Sequence, residues 1–131
     1  NVPAECEAFF ANAAAEGACL GDDDKIALCA VEDTIDTIIE ECGRGTCIAS
    51  IGDTSSGGGL AQCGTECVAM QTDFSNECAS CFGETLACTM RECGAEALGA
   101  ITGNREALEA CVAEKCDGEF SQCAGVSLND R

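Results

Sequence analysis

The chain has 131 residues and a mass of 13.3 kDa, enough for one domain or two very small ones. It carries 24 acidic and 6 basic residues for a net charge of −18, 14 cysteines, and no His, Trp or Tyr. That balance excludes binding of nucleic acid or anionic lipid through a basic patch, and the lack of His excludes Ser–His and Cys–His nucleophile systems.

Helix signals begin at the N-terminus. Pro3 suits a first helical turn, and the Ala-rich stretch from Ala4 to Ala15 predicts a helix that Gly17 or Gly21 ends. Phe9 and Phe10 lie side by side in it. Adjacent helical positions cannot both face one core, so the pair is a candidate assembly contact. Asp22, Asp23 and Asp24 open the next helix, where carboxylates favour the dipole and cap open N–H groups. The same run is the candidate for weak calcium binding, although it fails as an EF-hand loop. Its sixth position is Ala27 rather than Gly, and its twelfth is Asp33 rather than Glu. Leu28, Val31, Ile35, Ile38, Ile39 and Cys42 then form one continuous apolar stripe at helical spacing, closed by Gly43. Cys47 to Ile51 is the one strand candidate.

Residues 53–59, Asp-Thr-Ser-Ser-Gly-Gly-Gly, read as a flexible linker or exposed loop. They divide the chain into an N-terminal helical half, 1–52, of charge −9 and a cysteine-rich helical half, 60–131, of charge −8. In the second half, Leu60 to Gln71 predicts a short helix, and Ser75 to Cys93 a longer one. Thr102 or Asn104 caps a third through Lys115, and Asp117 starts a final turn with Phe120 and Cys123. The expected fold is all-α: a small disulfide-rich structure of helical hairpins stapled by disulfides.

Large apolar side chains (Ile, Leu, Val, Met and Phe) number only 26. So few bury too little surface to offset chain entropy, and crosslinks must supply the difference. Cys6, Cys19, Cys29, Cys42, Cys47, Cys63, Cys67, Cys78, Cys81, Cys88, Cys93, Cys111, Cys116 and Cys123 are therefore expected to pair as disulfides in an oxidising compartment. Zinc is the rival, but Cys78–Cys81 is the only CxxC and there is no His. No metal or other cofactor is expected. Cys63 and Cys67 share a helix face, which suits bonds to a neighbouring helix. The C-x4-C spacing recurs at Cys42/Cys47, Cys88/Cys93 and Cys111/Cys116, placing each second cysteine where a helix can end and redirect. Five cysteines precede the Gly/Ser segment and nine follow it. Both counts are odd, so full pairing within one chain demands at least one disulfide between the halves.

From Cys81-Phe82 through Cys88-Thr89, Cys93, Ala110-Cys111, Cys116, Phe120, Cys123 and Gly125, the spacing is CF-x5-CT-x3-C, then AC-x4-C-x3-F-x2-C-x-G. It resembles a cysteine-rich repeat of predicted secreted proteins of algae, other protists and some bacteria. A further cysteine of that pattern has no counterpart between Cys93 and Cys111. The resemblance implies an exported, disulfide-stapled module with no catalytic residues. A looser likeness is to ciliate pheromones, which are also acidic, helical and disulfide-rich.

The start at Asn1 fits an extracellular chain whose secretory signal has been removed. No run approaches the length of a membrane-spanning helix, and membrane insertion is not expected. Paired carboxylates such as Glu40/Glu41 and Glu106/Glu109 are the acid–base candidates, but no Trp or Tyr is present to stack a sugar, and no enzyme activity is expected. Two roles are left. The expected one is a self-assembling extracellular matrix, coat or filament subunit, which many crosslinks and a chemically quiet surface favour. The other is a diffusible signal, inhibitor or binding module, which small size and high solubility favour. The expected partner is another copy of the chain or another extracellular protein.

Overall fold

The computed structural model describes residues 4–7, 10–101 and 103–127. Its helices, in chain order, are α1 (Ala4–Glu7), α2 (Asp22–Val31), α3 (Ile35–Glu41), α4 (Gly59–Gln71), α5 (Asn76–Ile101), α6 (Arg105–Lys115) and α7 (Asp117–Ala124). A π-helical turn, Cys42–Thr46, and a 3₁₀ turn, Ile48–Ser50, follow α3. The all-α expectation holds: no strand occurs among the described residues. The strand candidate at Cys47 to Ile51 is instead a helical turn, its Ser50 and Ile51 N–H groups donating three residues back to Cys47 and Ile48.

Helices α4 and α5 fold back on each other across residues 72–75 and share the most extensive interface, while α6 and α7 also pack on α5. Small residues let the first pair approach closely. A Cβ at Gly83 would collide with the Ala61 carbonyl and the Thr65 hydroxyl, and one at Gly64 would lie 3.1 Å from the Gly83 Cα. Beside this crossing, Phe74 stacks on Phe82 at 5.1 Å, and Phe82 meets Phe120 at 4.8 Å. Ser75 caps α5, its hydroxyl accepting the Cys78 N–H at 3.2 Å. Buried Asp24 holds the cap in place by accepting the Ser75 N–H and O–H, each at 2.7 Å.

All fourteen cysteines pair: 6–29, 19–78, 42–67, 47–63, 81–123, 88–116 and 93–111. Three of these bonds cross between the sequence halves, meeting the parity requirement. Two nested ladders appear. Cys42 and Cys47 pair with Cys67 and Cys63, as the shared face of Cys63 and Cys67 suggests. Cys88 and Cys93 pair with Cys116 and Cys111. Each ladder clamps a helical hairpin at two levels.

Two helical expectations need correction. Among its described residues the Ala-rich segment is α-helical at Ala4–Glu7, and residues 11–20 run as turns and bends. Its N–H groups leave the helical register to serve α7: Ala14 donates to Gly125, Ala18 to Cys123 and Cys19 to Ala124, at 2.8–3.0 Å. These are the carbonyls a helix C-terminus leaves open. Gly17 permits the approach, since a Cβ there would strike the Ala124 carbonyl. The stripe from Leu28 to Cys42 is likewise broken at Glu32 to Thr34, between α2 and α3. The break falls between Cys29, anchored to α1 through Cys6, and Cys42 and Cys47, anchored to α4. Past Gly43 the chain continues as the π-helical turn instead of stopping. The remaining helices follow the sequence reading, except that α5 kinks at Cys93, its expected end, and continues to Ile101. Asn104 stands at the α6 N-cap without a side-chain capping bond, and Thr102 lies outside the described residues.

Candidate functional site

Five large apolar side chains among the described residues are well exposed, and three of them, Ile48, Ile51 and Leu98, line one groove of about 150 Å³. Three stretches of chain build it. The π-helical and 3₁₀ turns supply Gly43, Ile48 and Ile51. Helix α5 supplies Met90 and, past its kink at Cys93, Ala97 and Leu98. Helix α6 adds Leu108. Disulfides hold these walls in place. Cys47–Cys63 ties the turn to α4, and Cys93–Cys111 ties the kink to α6.

The polar lining is Glu40, Arg44 and Arg105. Glu40 accepts from both arginines: Arg44 Nη2 lies 3.2 Å from its Oε2, and Arg105 Nη2 contacts its Oε1. The hydrogen bond and charge of Glu40 hold the Arg105 guanidinium proton more firmly than usual, with smaller help from Glu109 and Asp36. Glu40 is thereby engaged, so Glu40/Glu41 is not an unencumbered carboxylate pair. What the groove offers is an apolar slot with a cationic rim.

The residues singled out from sequence lie elsewhere. Phe10 is buried in the core, with the Lys25 ammonium 5.4 Å from its ring centroid, so it is not an exposed assembly contact. Phe9 lies outside the described residues. Asp22, Asp23 and Asp24 do form the first turn of α2 and edge an open acidic depression with Asp73 and Ser75. Asp24, however, caps α5 through Ser75 rather than its own helix. Among the described residues no cluster of three or more His, Cys, Asp or Glu side chains is arranged to hold a metal ion. No described helix is long and apolar enough to cross a membrane.

Sequence reasoning missed the groove because its apolar residues obey no single period. Ile48 and Ile51 read as a strand fragment, and Leu98 lies past the point where the longer helix was expected to end. The available signal was Arg105, a scarce cation beside a helix start in an acidic chain. Comparison with protein families, curated proteins and solved structures finds no match to this chain.

Proposed function

We propose that the protein is a non-enzymatic, exported binding module that presents the Ile48–Ile51–Leu98 groove on a rigid disulfide frame. The observation that carries this reading is the gathering of three exposed aliphatic side chains into one concave site whose walls are crosslinked. Apolar, concave, preformed surfaces of this kind take ligands. Seven disulfides support residence in an oxidising compartment such as the extracellular space. The net charge of −18 favours a diffusible monomer, because like-charged copies repel.

The competing reading is a self-assembling matrix, coat or filament subunit; of its two candidate contacts Phe10 is buried and Phe9 lies outside the described residues. Light scattering across ionic strength and calcium concentration separates the two. A binding module stays monomeric throughout, and its Ile48, Ile51 and Leu98 methyl resonances shift saturably with a neutral apolar probe such as octan-1-ol. Growth into regular oligomers as salt rises and screens the repulsion establishes the structural role instead.

A further inference from the structure

In a chain of net charge −18, the groove is a local exception: its three charged groups are two guanidiniums and one carboxylate, leaving one positive charge. Each guanidinium has five N–H donors, and Glu40 has only two oxygens to share between both side chains. The arginine side chains are 55% and 48% exposed, so both are open to a further anion. Asp36 and Glu109 also act on Arg105, but neither lines the groove. The rest of the wall is apolar, half-buried Met90 and Leu108 lining it together with the exposed Ile48, Ile51 and Leu98. A cavity near 150 Å³ is about the size that takes up benzene, which suits a short alkyl chain or single ring and not a peptide helix.

We propose that the groove binds a small monocarboxylate amphiphile, its apolar body against Ile48, Ile51 and Leu98 and its carboxylate on Arg44 and Arg105. The ligand carboxylate shares the two guanidiniums with Glu40, adding charge-assisted hydrogen bonds that an alcohol or amine of equal length lacks. This inference rests on the binding-module reading and narrows its ligand class.

Calorimetric titration of the disulfide-intact protein with octanoate, octan-1-ol and octylammonium tests it, with methyl shifts locating the site. Octanoate is expected to bind one-to-one and about tenfold or more tighter than octylammonium, the scale of one charge-assisted hydrogen bond. Arg105→Gln should weaken octanoate binding about tenfold and octan-1-ol binding far less, bringing the two probes close to one affinity. Glu40→Gln, with helical circular dichroism intact, should strengthen octanoate binding by releasing both guanidiniums. Equal affinity for the three probes, or weaker octanoate binding in Glu40→Gln, overturns the carboxylate assignment while the octan-1-ol shifts keep the groove as a binding site. No saturable shift with any probe overturns both.

Discussion

Cys47, Cys93 and Cys116 are each the second member of a C-x4-C pair, and each leaves helical geometry, with φ/ψ of −105°/11°, −127°/26° and −121°/−26°. The reason is angular. An α-helix sets residues five apart about 140° around its axis, so two such sulfurs cannot face one partner. At Cys47 the remedy is a π-helical turn, the Cys47 N–H donating to the Cys42 carbonyl at 2.8 Å. At Cys93 it is a kink and at Cys116 a helix end. Single carboxylates order other irregular segments. Asp53 accepts the Ser55 hydroxyl at 2.7 Å, the Ser55 N–H and the Gly59 N–H, turning the Gly/Ser stretch into a structured loop that caps α4. These bonds, led by the Ser55 hydroxyl, lower the Asp53 pKa below 3.8. A carboxylate with a lowered folded-state pKa contributes stability above its ordinary pKa and loses it as pH falls through the folded value. Hydrogen-exchange protection at the Gly59 N–H is therefore expected to hold from neutral pH down to about pH 4 and to collapse below it. In Asp53→Asn that pH dependence should vanish, with protection low throughout.

Among the elements, α4 through α7 are legible in the sequence, because their apolar and cysteine positions recur at helical spacing within short, well-punctuated segments. Leu60 to Gln71 is α4 within one residue, and the expected end at Cys93 is the kink in α5. The N-terminal third was less legible. Ala4 to Ala15 has the composition of a helix, yet the Ala14 N–H, and those of Ala18 and Cys19 just beyond it, donate to carbonyls more than 100 residues away, at Cys123 to Gly125. Local propensity carries no trace of such a partner, and tertiary hydrogen bonding overrides it. The groove was hidden for the same reason: its walls come from three separate stretches. The α4–α5 crossing adds a test of close packing. Gly83 faces Ala61 and Thr65 with no room for a methyl group, so Gly83→Ala is expected to destabilise the fold by about 1–3 kcal/mol although Ala is the better helix former. Urea unfolding with disulfides intact measures it. An unchanged or raised midpoint shows that the helices part at no cost.

For the molecule as a whole, the decisive feature is how the two like-charged halves are held together. Their charges of −9 and −8 oppose association, and the loop at 53–59 between them is short of apolar anchors. Covalent bonds override both. Cys19–Cys78, Cys42–Cys67 and Cys47–Cys63 all span that loop, and the ladder formed by the last two grips α4 at both levels. Cys19–Cys78, with a sequence separation of 59, alone removes unfolded-state entropy worth about 4 kcal/mol. Arg91 and Glu84 of α5 reinforce the loop from the far side, Arg91 donating to the Thr54 carbonyl at 2.6 Å and Glu84 accepting the Gly57 N–H at 2.8 Å. Proteolytic nicking within 53–59 should therefore leave the two fragments joined in denaturant until a reductant is added. Removing one crossing bond, for example by Cys47→Ser with Cys63→Ser, should not release them, because two bonds still span the cut. Only loss of all three should separate the fragments under non-reducing, denaturing mass analysis. Separation after the loss of a single pair would show that the other two bonds do not form between the halves. The groove would then lose the frame that fixes its Ile48–Ile51 wall against α4.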